Sequence, residues 1–452
     1  MIEYYYSLLL LIIGTIMFVY SRSIPVVLVS IYISSWFFPL GLLVFGFGLP
    51  SYLIVGEILY MIYLSKGSER SSNSQLLHDT TKYMLYLIAF FIVIALFSTE
   101  IPFLYQLDSL KRYVYYLFNI LFIVYSLRKS EEFQKIVHLI LFILIMSGIY
   151  SAYTYITKDN PYALAIVSMT DIFDETGLDN SYIDEQRGFM TGRISGFTVH
   201  PLMYGGVLAL SLFLLLYVFI QNNHLKGKIF YASMVLVTLI LIVFTGSRSI
   251  LIGTLTGLFV YVYKLFGNKV IVYSVILFSI ISIGGLAIED EFIKSTIFFW
   301  EDNSEIKGSS TEMRTNQIEA AYDRISDNAV SLAFGLGEGW VAQYSQKNGC
   351  IPPFMGFESI FIIAILQYGI LGTLAYLFLL FGGLYKTVVR YVTSSKKQYL
   401  LVSYLIAGFV IYSFTGEAYG LRLYIILAFF MIKWYESANY KEQQVVKKEL
   451  VK

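Results

Sequence analysis

The chain has 452 residues, of which 57% are hydrophobic and only 14% are charged, and its net charge is +1. A soluble globular domain is nearer half apolar and a quarter charged. The near-zero net charge gives no indication of nucleic-acid binding, and no zinc-finger, Walker or helix-turn-helix pattern occurs. Cys350 is the only cysteine, so no disulfide can form within the chain.

Apolar runs of about 20 residues recur along the chain and predict an all-α polytopic membrane protein. Gly46, Gly48 and Pro50 divide the longest early run into two helices. The first run lacks a basic start and a small-residue cleavage site, which favours a retained helix over a signal peptide. The predicted helices, about thirteen, are 4–20, 24–45, 48–65, 81–98, 112–127, 136–156, 202–220, 229–244, 249–266, 269–287, 357–385, 399–415 and 420–436.

Lysine and arginine in the short loops predict the orientation in the membrane. Twenty of the 32 lysines and arginines lie in one set of alternating loops, which is predicted to be cytoplasmic. The C-terminus is then inside, and an odd helix count puts the N-terminus outside. The predicted divisions are N-terminal membrane helices at 1–156, an extracytoplasmic loop at 157–201, central membrane helices at 202–287, a large extracytoplasmic loop at 288–356, and C-terminal membrane helices with a cytoplasmic tail at 357–452.

The two sides differ in the kind of cation they carry. The cytoplasmic set holds four arginines and sixteen lysines, whereas the outer set holds seven arginines and five lysines. Arginine offers a planar fork of donors that matches phosphate or carboxylate. The outer face is therefore predicted to bind oxyanions, although any single arginine could instead pair with an acidic loop residue. Inside the membrane, Glu57 fits a structural ion pair and a proton or substrate role equally well.

One polar stretch, 187–201, lies between two strongly apolar segments. It carries Arg187 and Arg193, glycines that allow the backbone to approach a ligand closely, and His200 before Pro201. Proline is tolerated in the first turn of a helix, so Pro201 marks a helix start. We interpret the two arginines as holding the phosphates of a lipid-linked sugar. His200 is either a polar capping residue or a substrate contact.

A second site is the very short outer turn Thr245-Gly-Ser-Arg248-Ser249. An arginine between two membrane helices is held at a fixed depth, which favours a phosphate contact for Arg248 over an interfacial anchor. Gly253 and Gly257 follow with the G-x-x-x-G spacing that is typical of helix packing.

The large loop is mostly polar and is predicted to contain an amphipathic helix that starts near Ser310, exposes one face, and uses Ile318, Ala321 and Tyr322 on the other. Arg314 lies near its start and Arg324 nearly three turns further on. A glycine-rich turn follows at 335–339. Glu358 opens the next membrane helix, where the helix dipole favours a carboxylate.

Taken together, these motifs resemble the O-antigen polymerase and O-antigen ligase superfamily over roughly 187–380. The resemblance is carried by Arg193-Ile-Ser-Gly196 with His200-Pro201, by Thr245-Gly-Ser-Arg248, by Arg314 ahead of Phe334-Gly-Leu-Gly337, and by Glu358-Ser359 leading to Gln367-Tyr-Gly369-Ile-Leu-Gly372. It implies a GT-C-like helical bundle with a large periplasmic loop, in a bacterial cytoplasmic (inner) membrane. Ligases carry a histidine motif where this chain has Glu358, and that departure favours a polymerase.

The resemblance implies a glycosyltransferase that joins undecaprenyl-pyrophosphate-linked repeat units into O-antigen or capsular polysaccharide without a metal or other cofactor. The donor and the acceptor are both lipid-linked oligosaccharides, and a chain-length regulator and a flippase are the implied partners. Glu358 is the expected base, with His200 second. Arg193, Arg248 and Arg314, with Arg187 and Arg324, are the expected pyrophosphate ligands, and a single displacement predicts inversion at the anomeric carbon.

Three alternatives remain open from the sequence. One is an O-antigen ligase that transfers the glycan to a lipid or other acceptor. Another is a flippase for the same lipid-linked sugar, which would need ionisable residues along a path through the bilayer. The third is a purely structural assembly subunit, which leaves the outer arginines unexplained.

Overall fold

The structure is a computed structural model, and it describes residues 2–37, 43–44, 47–66, 75–98, 100–162, 193–198, 200–269, 311–341, 343–344, 359–392, 395–415 and 418–450. The described residues are overwhelmingly helical, and the predicted all-α polytopic membrane protein is confirmed. Two strands of two residues each, β1 (Leu43–Val44) and β2 (Phe47–Gly48), form a small antiparallel hairpin.

The N-terminal helices follow the apolar runs of the sequence. They are α1 (Ile2–Ser21), α2 (Ile24–Phe37), α3 (Leu49–Lys66), α4 (Gln75–Phe97), α5 (Phe103–Ser126) and α6 (Ser130–Thr157). The prediction of one helix over 24–45 is too long, because α2 ends at Phe37 and the β-hairpin precedes α3. By contrast, α4 and α6 begin about six residues before their apolar runs, since a helix can continue with polar residues where it leaves the bilayer.

The central and C-terminal helices complete the bundle. They are α7 (Pro201–Gln221), α8 (Leu225–Phe244), α9 (Arg248–Phe266), α10 (Thr311–Ser326), α11 (Ala329–Phe334), α12 (Ile360–Leu377), α13 (Gly383–Tyr391), α14 (Lys396–Thr415) and α15 (Ala418–Leu450). A π-helical segment, Phe378–Gly382, joins α12 to α13. The predicted helix 269–287 falls almost entirely outside the described residues.

Seven helices in the described ranges are long and apolar enough to cross a membrane. They are α4, α6, α7, α8, α9, the continuous run Ile360–Tyr391 and Lys396–Phe414, and shorter apolar helices accompany them. The central helix α7 is the most enclosed of the seven, with 72% of its apolar window buried inside the protein. The bundle is therefore built around α7, which begins directly after His200.

The G-x-x-x-G pair on α9 marks a helix interface, as its spacing predicts. A Cβ on Gly253 would lie 2.4 Å from the Ile411 side chain, and one on Gly257 would lie 2.5 Å from Ala407. Both neighbours belong to α14, so the two helices pack with their backbones close together. This contact holds the start of α9 in register with the rest of the bundle.

Contacts near the helix ends define two ends of the bundle. At one end, Ser23 donates a hydrogen bond to Glu132, 2.9 Å away, and Arg390 pairs with Asp79 at 3.0 Å. At the other end, the Ser359 hydroxyl donates to the carbonyl of Ser413, 2.8 Å away. Each pair joins chain segments at or near helix ends that the charge pattern assigns to the same side, in agreement with the predicted alternation of helices.

Glu57 is buried on α3, with 1% of its surface exposed. Its Oε2 atom has no hydrogen-bond partner, and no cation in the described ranges pairs with it. The ion pair that the sequence left open is therefore not formed among these residues. A carboxyl group in that setting is costly to insert, by roughly 2.5–3.5 kcal/mol if it is charged.

Candidate functional site

The segment that carries Arg193 lies against the end of α8. The backbone N–H of Ile194 donates to the carbonyl of Phe244, the last residue of that helix, over 3.1 Å. Ile194 is buried and Arg193 is half-buried. The first arginine motif is thus bonded, through its own backbone, to the turn that carries the second.

A buried hydrogen-bond network holds the Arg193 segment in place. The hydroxyl of Tyr150 donates to Asn160 Oδ1 over 2.8 Å, and Asn160 Nδ2 donates to Ser195 Oγ over 2.9 Å. The Thr198 hydroxyl donates to the carbonyl of Ser195, 2.7 Å away. Burial raises the pKa of the neighbouring Tyr162 phenol above its ordinary value. Because Asn160 and Thr198 are fully enclosed, the segment is a fixed platform rather than a free loop.

The second motif forms a tight turn between α8 and α9. The helix α8 ends at Phe244, the Thr245 hydroxyl donates to the carbonyl of Ile242 over 2.7 Å, and α9 starts at Arg248. A cation at the first position of a helix is unfavourable, because the N-terminus already carries partial positive charge. Among the described residues, no carboxylate pairs with Arg248. The Arg248 guanidinium and the N-terminus of α9 therefore present positive charge that no described carboxylate compensates, and an anion would neutralise it.

Ser247, directly before Arg248, occupies the N-cap position of α9 without capping it. Its side chain makes no hydrogen bond to the first turn, although serine is a favoured cap. Its hydroxyl is buried and has no hydrogen-bond partner. A buried hydroxyl without a partner is costly, so a polar ligand at this position would stabilise it.

His200 caps the start of α7. Its Nδ1 atom accepts the backbone N–H of Leu202 over 3.2 Å, and Pro201 takes the first helical position. A ring nitrogen that accepts an N–H carries no proton, so the neutral ring has its proton on Nε2. In that tautomer Nε2 is a donor. The geometry therefore matches the capping interpretation of His200 and disfavours it as a base.

The start of α7 also packs on the Arg248 turn. A Cβ on Gly205 would lie 2.9 Å from the Ile250 side chain and 3.0 Å from the Thr245 hydroxyl. Three pieces of the predicted site are therefore joined: the Arg193 segment, the capped start of α7 and the turn before α9.

For three of the remaining predicted site residues the structure describes only the backbone or nothing. Arg187 and Glu358 lie outside the described residues. Arg314 lies on the first turn of α10, whose helical backbone is described. Ser359, directly after Glu358, caps α12 by accepting the N–H of Phe361 over 3.2 Å. The prediction that Glu358 lies in the first turns of this helix therefore falls on a residue outside the described part of the chain.

The large loop docks into a break in a membrane helix. Gly369 has φ +66° and interrupts α12, which leaves the carbonyls of Leu366 and Gln367 without their usual helical donors. The N–H of Leu336 donates to the first over 2.9 Å, and that of Gly337 to the second over 3.1 Å. Two motifs of the sequence, Phe334-Gly-Leu-Gly337 and Gln367-Tyr-Gly369, thus bond to each other directly.

Helix α10 is confirmed, but its buried face differs from the prediction. Ala321 and Ile325 are buried, whereas Ile318 and Tyr322 are exposed. A separate small apolar cluster joins this loop to α12 and to the chain after α4. Its buried members are Ile101, Ala321, Ile325, Leu336, Trp340, Ile362 and Leu366.

Arg324 differs from Arg248 in that a carboxylate in the protein neutralises it. Its Nη2 atom lies 2.6 Å from Glu100 Oε1, and its Nη1 atom lies 3.5 Å from Asp327. The other oxygen of Glu100 accepts the indole N–H of Trp340 over 2.7 Å. The sequence predicts Arg324 as a pyrophosphate ligand, whereas in the structure its guanidinium pairs with Glu100 and Asp327.

A second carboxylate, Glu338, bonds the loop to the bundle. It accepts the phenol of Tyr368, whose oxygen lies 3.4 Å from that of Tyr113. The guanidinium of Arg422 lies 5.7 Å from the centre of the Tyr113 ring. Sequence reasoning did not single out Glu100, Trp340, Glu338, Tyr368, Asn160 or Ser247. Ser247 and Tyr368 stand inside quoted motifs and Glu338 inside the glycine-rich turn, whereas no local pattern marks Glu100, Trp340 or Asn160. Within the described part, no three His, Cys, Asp or Glu side chains are placed to hold a metal ion.

The fold and site define a polytopic helical membrane protein whose arginine motifs lie at helix ends and whose large loop docks at a break inside a membrane helix. Residues 232–377 match the family model described as O-antigen ligase (Wzy_C), a stretch that includes Arg248, Arg314 and Gly369. This match covers about a third of the chain, and over that stretch the chain is similar to the O-antigen ligase and polymerase superfamily, whose members are membrane enzymes that process glycans. No curated protein and no solved structure gave a significant match.

Proposed function

We propose that the chain is a glycosyltransferase of the cytoplasmic membrane that polymerises undecaprenyl-pyrophosphate-linked repeat units into O-antigen or capsular polysaccharide. The observation that carries the proposal is Arg248, an arginine at an uncapped helix start with no carboxylate partner in the described chain. The backbone bond from Ile194 to Phe244 brings the Arg193 segment to the same turn. The family match gives the glycan chemistry.

The reaction is a single displacement. A hydroxyl of the acceptor's terminal sugar attacks the anomeric carbon of the donor, a new C–O bond forms, and the bond to the pyrophosphate breaks. The electron pair leaves with the lipid pyrophosphate, so negative charge grows on its oxygens. Fixed positive charge from Arg248, Arg193 and Arg314 stabilises that charge. Because attack and departure occur on opposite faces, the anomeric configuration inverts.

Glu358 is the proposed base that takes the acceptor's proton. A carboxylate suits this role, since the step needs only a proton acceptor when the leaving group is a good one. His200 is the second candidate, although its Nδ1 atom is engaged in capping α7. Pyrophosphate needs no general acid, and arginine supplies the positive charge in place of a metal ion.

A second function, glycan transfer to another acceptor, is favoured by the family description, O-antigen ligase. The chemistry at the pyrophosphate is the same in both cases, and only the acceptor differs. A third, transport of the lipid-linked sugar, is favoured by Glu57, which is buried in α3 without a partner for Oε2. One experiment separates the three.

The experiment is a polysaccharide gel of a deletion strain that carries Arg248→Lys, Arg193→Ala or Glu358→Gln, with expression checked. Polymerisation predicts a ladder for the wild type and single repeat units at the surface for the variants. Lysine keeps the charge of Arg248 but not its planar fork, so Arg22→Lys, on an exposed arginine at the other end of the bundle, is the matched control. A variant that loses attached glycan while free polymer persists would favour ligation. Loss of surface repeat units altogether would favour transport.

A further inference from the structure

The described residues of the short connection between α4 and α5, residues 98, 100 and 101, form a ledge on which the large loop rests. The Ser98 hydroxyl donates to the carbonyl of Leu336 over 2.8 Å. Ile101 is buried in the small apolar cluster that joins the loop to α12. Between them, Glu100 holds two loop side chains with its two oxygens. The ledge therefore contacts the loop through hydrogen bonds, an ion pair and apolar packing.

Glu100, Arg324 and Trp340 form a three-residue clamp. Arg324 Nη2 lies 2.6 Å from one carboxylate oxygen, and the Trp340 indole donates to the other over 2.7 Å. The Arg324 guanidinium also lies 6.0 Å from the centre of the Trp340 ring, within the range of a cation–π contact. One carboxylate thus ties the end of α10 to the segment that follows the glycine-rich turn, and both to the membrane bundle.

The clamp acts at one end of a continuous helix whose other end carries Arg314. Arg314 precedes Arg324 by ten residues on α10, which spans Thr311–Ser326 without a break. Ten residues of α-helix are about 15 Å long. Because such a helix moves as a rigid rod, the orientation fixed at Arg324 also sets where the Arg314 backbone lies.

We propose that Glu100 is a positioning residue for the glycan transfer, and that Arg324 serves the clamp rather than the pyrophosphate. This inference rests on the proposed function, since it assigns Arg314 to the reacting phosphates. Arg324 has its charge neutralised by Glu100, so it offers less to an anion than Arg248 does. The clamp keeps α10 at a fixed angle to the bundle, and the backbone of Arg314 is held in place with it.

A double-substitution cycle in the full-length protein, reconstituted in liposomes with lipid-linked repeat units, tests this assignment. If Arg324 acts through Glu100, then Glu100→Ala and Arg324→Ala each lower kcat about tenfold or more, with KM for the donor nearly unchanged. The double variant is then no worse than the poorer single one. Asp327→Asn is the matched control, because Asp327 is 71% exposed and lies 3.5 Å from the same arginine. It should retain wild-type kcat.

A direct contact between Arg324 and the pyrophosphate predicts a different pattern. If Arg324 is a pyrophosphate ligand, Arg324→Ala raises KM for the donor, Glu100→Ala does not, and the two effects multiply in the double variant. That outcome overturns the assignment. A Glu100→Ala variant with unchanged kcat also overturns the assignment. Glu100→Gln keeps an oxygen acceptor for Trp340, and the proposal expects it to recover part of the kcat that alanine loses.

A readout without substrate separates the clamp from the reaction. A spin label at Glu319→Cys, in a Cys350→Ser background, reports the motion of α10, since Glu319 is exposed on that helix. The label should become more mobile in Glu100→Ala and stay as in the wild type in Asp327→Asn. An unchanged label in Glu100→Ala overturns the clamp. If the wild type fails to polymerise while the label responds, the proposed function fails and the clamp stands.

Discussion

Gly335 and Gly369 lie so close together that a Cβ on Gly369 would be 2.5 Å from the backbone nitrogen of Gly335. Both have positive φ, +77° and +66°. The contact joins the large loop to a membrane helix through backbone atoms alone, at the point where α12 is interrupted. A side chain at either position would push the large loop and α12 apart.

Gly369→Ala should undock the loop. Alanine at this φ costs roughly 1–2 kcal/mol, and its Cβ would meet backbone atoms, which cannot rotate out of the way. We expect a lower thermal unfolding temperature in detergent and at least a tenfold loss of polymer formation. Gly148→Ala is the control, because its Cβ would make an ordinary 3.4 Å contact with the Leu241 side chain. Equal melting temperatures for the two variants would contradict this account of Gly369.

The sequence predicts the helices well, because about 20 apolar residues in a row have few alternatives to a membrane helix. It does not predict the break at Gly369, since a glycine in an apolar run is tolerated in membrane helices. Nor does it predict the hairpin of β1 and β2, because hydrophobicity alone does not separate a helix from a short hairpin.

The sequence also predicts only part of the site, because short local motifs can be recognised in a sequence and long-range contacts cannot. Arg193, His200 and Arg248 stand in short local motifs, and their backbones meet in the fold. Glu100 stands in no motif, and it contacts residues 224 and 240 positions further along the chain. Such contacts leave no periodic or local signal. The sequence predicts the buried face of α10 only in part: Ala321 is buried, but Ile318 and Tyr322 are exposed, and their apolar side chains look no different in the sequence from that of buried Ile325.

Ser247→Ala should weaken donor binding without destabilising the protein. The hydroxyl of Ser247 is buried and has no partner, so its removal costs no hydrogen bond within the chain. If the hydroxyl bonds a pyrophosphate oxygen, its loss should raise KM for the lipid-linked donor by about five- to twentyfold, as one hydrogen bond to a charged group is worth about 1.5 kcal/mol.

Ser30→Ala is the matched control for Ser247→Ala. Ser30 is also buried with an unpartnered hydroxyl, but it lies on α2, away from the arginine turn. Its replacement should leave both the unfolding temperature and KM unchanged. An equal KM for Ser247→Ala and the wild type would remove Ser247 from the site.

His200→Asn should retain most activity, whereas His200→Ala should lose stability. Asparagine is among the best helix caps, so it can replace the Nδ1 acceptor at the start of α7. Loss of a cap typically costs 0.5–2 kcal/mol, which thermal unfolding of the alanine variant would report. If both variants are inactive although folded, His200 takes part in the chemistry and the capping role is insufficient.

The central claim is that this chain itself joins lipid-linked repeat units. The most direct test is to reconstitute the purified protein in liposomes with undecaprenyl-pyrophosphate-linked repeat units as the only glycan, and to resolve the products by length. The account predicts a ladder of polymers, with release of undecaprenyl pyrophosphate, and its loss in Arg248→Lys but not in Arg22→Lys. Repeat units that stay single with the wild-type protein, and are joined only when a different acceptor is added, would contradict polymerisation and identify a ligase.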